Sequence, residues 1–196
     1  MSSNPLFANR SKGLLFIVSA PAGAGKSTLV DMLTSEFSSV RRSISCTTRA
    51  PRTGERNGVD YHFLTEEEFL KRIEQGQFIE HVTLFGYRYG TLKEHVETLQ
   101  NEKNHVVLVI DTQGALELMG KLAATFIFIL PPSLKELERR LFERGTETPE
   151  TLEKRLSEAD REIACASRYN YIIVNDDKNV AYQVLRSIVI AEIHRV

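Results

Sequence analysis

The sequence predicts an α/β protein built on a parallel sheet with helices on both faces. Three observations point there. Continuous apolar runs with β-branched members recur along the chain and read as strands covered on both sides. Stretches with apolar residues at helical spacing separate them. A glycine-rich turn, "SAPAGAGKST" (19–28), sits between the first such strand and the first such helix.

Each element follows from its own pattern. "LLFIVS" (14–19) is the first buried strand, and "KSTLVDMLTSEF" (26–37) carries an apolar stripe at 29, 30, 33 and 37. From about residue 41 to 90 the texture changes to short, polar and turn-rich segments. Within them Thr65 and Glu68 form a capping-box signature that opens the helix "EEEFLKRIEQG". "QFIEHVTLFGYRYG" (77–90) alternates and is aromatic. The α/β pattern then resumes: the strand "HVVLVID" (105–111) ends in Asp111, and the helix "TQGALELMGKL" follows. "ATFIFIL" (124–130) is stopped by Pro131 and Pro132, and Ser133 with Glu136 caps the next helix. Residues 139–168 are rich in arginine, "YIIVN" (171–175) is a strand, and "NVAYQVLRSIVIAEIH" is a closing amphipathic helix. No internal repeat or low-complexity tract interrupts this order.

Composition bounds the reading. The 196 residues are 42% hydrophobic and 26% charged, enough apolar material for a sizeable core. The net charge of −1 gives no bulk attraction to nucleic acid or an anionic membrane. Any basic site is therefore local. Cys46 and Cys165 show no CxxC or metal spacing, as expected of reduced thiols in a cytoplasmic protein. The first residues mimic a signal peptide superficially. The run Leu14–Val18 is too short for one, and Gly25, Lys26 and Ser27 follow at once, so it reads as a strand. No apolar stretch reaches the ~20 residues that a membrane helix needs. The five histidines are scattered and make no metal pattern.

The turn approximates the phosphate-binding pattern G-x-x-x-x-G-K-[ST], with Ala20 at its first glycine. In such a loop successive backbone N–H groups point inward as an anion nest, and the helix N-terminus adds positive potential. Ala20, Pro21, Ala22, Gly23, Ala24, Gly25, Lys26, Ser27 and Thr28 are thus the candidate ATP-phosphate contacts, together with Asn175. Lys26 reaches the β/γ-phosphates, and the Ser27 hydroxyl is the candidate Mg²⁺ ligand. Ala20 fits if its backbone needs only negative φ. A guanine-selecting N-K-x-D motif is absent, since "NDDKN" (175–179) is not one, which disfavours a GTPase.

Three further stretches decide the class: "SISCTTRAPRTGERNGVDYHF" (43–63), "FIEHVTLFGYRYGT" (78–91) and "RRLFERGTETPETLEKRL" (139–156). Together, and in order from about Gly13 to the end, they resemble guanylate kinase. Alanine at the first loop position also occurs in that family. The resemblance implies transfer of a phosphoryl group from ATP to GMP in purine nucleotide metabolism, with ATP·Mg²⁺ and GMP as partners. It leaves a homo-oligomer open. It implies a phosphate-loop core (1–44 and 92–196) with a lid at about 140–156, and a GMP-binding subdomain (45–91). Arg49, Arg52, Tyr61 and Tyr89 would hold the GMP phosphate. Ser45 and Thr91 would bond guanine O6, and Glu80 its N1–H and amine. Asp111 falls near the guanine or on the metal side, and both roles stay open. Lys26, Arg49, Arg140, Arg144 and Arg155 would neutralise charge on the transferring group. Arg139, Arg161 and Arg168 read as solvated helix-face residues.

The chemistry suits these residue types. Guanine offers two donors where adenine does not, so a buried carboxylate favours it, and arginine forks match phosphate oxygens in pairs. One departure stands out. The family often carries two acids one residue apart at the end of the strand before the guanine side, and here the first position is Val109. An intact Lys26, Ser27 and lid arginines argue against a binding module that has lost catalysis. Ser45, Glu80 and Thr91 argue against a kinase for another small molecule.

Overall fold

The computed structural model describes residues 11–143 and 149–195. Two sheets organise it. The larger has five parallel strands, β1 (Leu15–Ser19), β2 (Val40–Arg42), β7 (His105–Val109), β8 (Thr125–Leu130) and β9 (Tyr171–Val174), in the order β2-β7-β1-β8-β9. The smaller, inserted between β2 and β7, has β3 (Cys46–Thr47), β4 (His62–Phe63), β5 (Phe78–Leu84) and β6 (Tyr87–Leu92), in the order β4-β3-β6-β5. Its β5 and β6 form an antiparallel hairpin, and β3 pairs antiparallel with β6.

The helices are α1 (Lys26–Glu36), α2 (Glu66–Glu74), α3 (Lys93–Asn101), α4 (Thr112–Leu118), α5 (Leu134–Glu143), α6 (Pro149–Ala164) and α7 (Lys178–Ile193). A 3₁₀ turn, Ala166–Arg168, precedes β9.

The unbroken apolar strands have a geometric cause. Successive side chains of a strand point to opposite faces. In β1, Phe16 and Val18 enter one core with Leu29, Leu33 and Leu185, while Leu15 and Ile17 enter another with Leu118 and Tyr169. In β8, Ile127 and Ile129 join the first core, and Phe126 and Phe128 the second. Each such side chain contributes roughly 1.5–3 kcal/mol when fully buried. A polar residue at either parity would therefore cost on the order of that amount.

Smaller cores serve the appended parts. Cys46, Phe69 and Phe78 pack α2 under the second sheet, with the two phenyl rings stacked at 4.4 Å. Leu137, Leu141 and Ala159 pack α5 against α6.

Local signals behave as expected at several ends. Thr65 and Glu68 close a full capping box at the start of α2. Ser133 Oγ accepts the Glu136 N–H, but the Glu136 carboxylate turns to Arg139 and Arg140 instead of completing the box.

Three readings of the sequence are corrected. The short strand β2 lies just where the sequence turns polar, because its Arg41 and Arg42 sit at the sheet edge, and it joins the central sheet. Residues 93–101, unassigned in the sequence, are helix α3, which buries only Val96 and so leaves a faint stripe. Asp111 does not end a strand. It caps α4, accepting N–H bonds from Gln113 and Gly114 at 3.1 Å each.

Candidate active site

The phosphate loop leaves the C-terminal end of β1, the middle strand, where open parallel sheets bind ligands. Gly23 and Gly25 adopt positive φ of 93° and 94°. Ala20 is not among the residues at positive φ, so alanine fits there without strain. Gly25 is needed twice over, since a Cβ on it would lie 2.3 Å from Asn175 Nδ2. That amide donates to Ala24 O at 2.7 Å and so fixes the loop from behind. Gly25 caps α1 without any side-chain bond, and the first turn of α1 holds no acid. The first N–H groups of α1 are thus left for an anion.

Lys26 points into the cleft and donates to Ile110 O at 2.8 Å. Burial lowers its pKa, and the carboxylates of Glu162 and Asp111 oppose that shift. Ser27 is exposed and lines the cleft. Thr28 is exposed at the start of α1 and does not line it. Among the described residues no three acids, histidines or cysteines gather to hold a metal. A divalent cation held mostly by phosphate and water, with Ser27 as its protein ligand, fits this donor set.

Opposite the loop, the second sheet presents the other wall of a cleft of about 260 Å³. Alternation along β5 puts Glu80, Val82 and Leu84 on the cleft side. Thr91 Oγ1 donates to Glu80 Oε1 at 2.7 Å, and both residues are buried. Burial pushes the Glu80 carboxyl up to about 7, against the Thr91 bond and with the help of nearby Asp111. Asp111 is itself raised by burial, against the N–H groups it caps. Glu80 and Asp111 approach each other across Gly114, where a Cβ would lie 2.6 Å from Glu80 Oε2 and 3.1 Å from Asp111 Oδ1.

A second cluster is preassembled beside it. Both Glu55 carboxylate oxygens accept from Arg49 Nη2 at 2.9 Å, and Glu55 Oε2 also accepts the Arg52 N–H at 2.8 Å. The Arg49 guanidinium lies 5.5 Å from the Tyr61 ring centre, and Tyr61 meets Tyr89 edge-on at 6.2 Å. Burial works to lower the Arg49 pKa, but the Glu55 and Tyr89 hydrogen bonds outweigh it and hold the charge. Ser45 and Arg52 also line the cleft.

From the third side, α6 brings Arg155, Glu158 and Glu162 to the cleft on one helical face. Burial pushes Glu162 up to about 7, with Lys26 opposing. Arg140 takes another position. It pairs with Glu136 at 2.8 Å and donates to Asn175 O at 3.0 Å, so it meets the loop through Asn175 rather than facing the cleft. Arg144 lies outside the described residues.

Five residues escaped the sequence reading. Glu55 falls within the quoted stretch "SISCTTRAPRTGERNGVDYHF", and Glu158 and Glu162 sit three and seven residues after Arg155 on the same face, so all three were open to detection. Gly114 follows Asp111 by three residues with nothing local to mark it. Phe85 precedes a glycine between two alternating strands, a hairpin signal.

A strand–nest–helix turn at the middle of a parallel sheet, with a free α1 N-terminus and a half-buried lysine, defines a phosphate-loop nucleotide-binding protein. A crystal structure from Thermus thermophilus shares the fold, with a TM-score of 0.54 at 16% identity over 92% of this chain and 97% of that one. The family model described as guanylate kinase matches residues 12–192. A guanylate kinase of Protochlamydia amoebophila is 58% identical over 185 residues, 94% of each chain. One of Clostridium perfringens is 46% identical over 187 residues, 95% of this chain and 87% of that one. The crystal structure of guanylate kinase from Anaplasma phagocytophilum superposes with a TM-score of 0.77 at 33% identity, covering 95% of this chain and 89% of that one. The chain belongs to the guanylate kinase family.

Proposed function

We propose that this protein transfers the γ-phosphoryl group of ATP to GMP, giving ADP and GDP. The observation that carries the reading is Glu80, a buried carboxylate whose Oε1 is held by Thr91 on the wall facing the phosphate loop. Guanine matches it with N1–H and the 2-amino group. Adenine has no such pair, and it would leave a buried carboxylate facing an acceptor.

The four-stranded sheet is the GMP-binding part, and α5 and α6 carry the lid. Arg49, Arg52, Tyr61 and Tyr89 take the GMP phosphate, with Arg49 held ready by Glu55. Ser45 reaches O6, whereas Thr91, whose single hydroxyl proton goes to Glu80 Oε1, acts on the base through that carboxylate. The loop and Lys26 take the ATP phosphates, and Lys26 leaves Ile110 O to do so. Ser27 would ligate the Mg²⁺ of ATP·Mg²⁺, which would screen the charge of the triphosphate. Asp111, between Glu80 and Lys26, serves the guanine side.

Catalysis then rests on alignment and charge. Two anionic groups repel, and the cationic side chains between them allow close in-line approach. Arg155 closes over the transferring group from α6. One well-placed arginine supplies about 10³–10⁵ in rate in comparable systems. Arg140 holds Asn175, and with it the loop.

The test is the initial rate of ADP release with ATP·Mg²⁺ and GMP, AMP, CMP or UMP. Turnover is expected with GMP alone, and Glu80→Ala abolishes the preference. Equal turnover of AMP, or none of any, would overturn the reading.

A further inference from the structure

β5 and β6 are joined by only two residues, Phe85 and Gly86, at φ 50° and 82°. Leu84 pairs directly with Tyr87 across them. Two central residues at positive φ are the pattern of a type I′ turn, which favours Asn-Gly or Asp-Gly. An aromatic residue resists that conformation, because its Cβ crowds the following carbonyl. Among the described residues one other non-glycine, Lys103, has positive φ. It directly follows the C-cap of α3, where a left-handed residue commonly closes a helix.

Phe85 gains nothing from the core either, since its side chain stands half exposed at the hairpin tip. What it meets is the lid. The Arg155 guanidinium carbon lies 4.9 Å from the Phe85 ring centre, within cation–π range. Arg155 belongs to the α6 face that lines the cleft, and α6 in turn rests on α5 through Leu137, Leu141 and Ala159. The same hairpin carries Glu80, Tyr89 and Thr91. One ring therefore links the strand pair that forms one wall to the helix that forms another.

We propose that Phe85 is a positioning residue: its ring, raised at a strained hairpin tip, seats Arg155 over the cleft and couples the acceptor-side sheet to the lid helix. The proposal rests on the phosphoryl-transfer reading for its kinetic consequence only. The turn chemistry supplies an unusual test. Asn suits this turn better than Phe, so Phe85→Asn separates positioning from folding.

The expected results are a melting temperature unchanged or raised, and faster amide exchange around Arg155 on α6 in the unliganded protein. kcat/KM for GMP falls by about threefold to tenfold, the range that a partly buried cation–π contact supports. Phe85→Tyr keeps a ring and restores both. In an Arg155→Ala background, Phe85→Asn has no further effect. Unchanged exchange on α6, or an equal loss of kcat/KM in the Arg155→Ala background, would overturn the proposal. No turnover of GMP by the unaltered chain would overturn the functional reading instead, and the exchange comparison would still decide the contact.

Discussion

Thr91 Oγ1 lies 2.7 Å from Glu80 Oε1, in a pair of buried side chains that face each other across the β5–β6 hairpin. The hydroxyl favours the ionised carboxyl, while burial and Asp111 favour the neutral one. Glu80 is therefore balanced near neutrality, and Thr91 tips it toward the ionised form, the one that would accept from guanine under the proposed function. Thr91→Val removes the hydroxyl at nearly constant volume. Near pH 7 the KM for GMP should rise on the order of tenfold, the cost of one hydrogen bond to a charged group. The gap should narrow by pH 8.5, where Glu80 ionises regardless. A gap that stays constant with pH would mean that the hydroxyl acts on the base alone.

The same carboxyl marks the stability profile. Its folded pKa, about 7, lies above the ordinary glutamate value. The folded state thus binds this proton more tightly than the unfolded chain does. Its contribution is fully present below about pH 4.3 and is lost as pH rises through about 7. Glu80→Gln stays neutral throughout. Thermal melts of the unliganded proteins should show the variant gaining on the parent from pH 5 to pH 8. A difference that does not change over that range would place the Glu80 pKa back among ordinary carboxyls.

Gly114 sets how closely Glu80 approaches Asp111. A methyl group there would press on Glu80 Oε2 at 2.6 Å and on Asp111 Oδ1 at 3.1 Å. Gly114→Ala should raise the KM for GMP at least tenfold while leaving that for ATP within about twofold, since the severe clash falls on Glu80 and Asp111 need give by only a few tenths of an ångström. Adding Glu80→Asp, one methylene shorter, should restore part of the loss. If both KM values rise together, the start of α4 has shifted as a whole.

What the sequence disclosed follows from how local each signal is. The phosphate loop was legible because strand, glycines, lysine and helix are contiguous, and the positive φ at Gly23 and Gly25 is what their residue type advertises. The buried strands were legible because burial on both faces leaves unbroken apolar runs. Strand β2 was not, being three residues long with two arginines. The roles of Gly114 and Asn175 were hidden for another reason. Each is defined by a neighbour far away in the chain, Glu80 for one and Ala24 for the other. Asp111 was misread as the end of a strand because a helix cap and a strand-end acid look alike until the N–H groups that it accepts are known.

Gly25 and Asn175 offer a way to divide two costs in one position. Alanine at 25 must hold φ near 94°, a left-handed conformation that costs roughly 1–2 kcal/mol for a residue with Cβ. It must also share space with Asn175 Nδ2, 2.3 Å from the new methyl carbon, and so breaks the bond to Ala24 O, worth about 1 kcal/mol. For a chain of this size the sum corresponds to a fall in melting temperature of about 5–10 °C. The KM for ATP should rise and that for GMP stay near its original value, because the disturbance is confined to the loop. Asn175→Ala alone loses the bond but adds no strain. The double variant therefore isolates the backbone term: it should melt below Asn175→Ala by the part due to φ. Equal melting temperatures for those two proteins would show that contact with Asn175, and not backbone conformation, is why glycine stands at position 25.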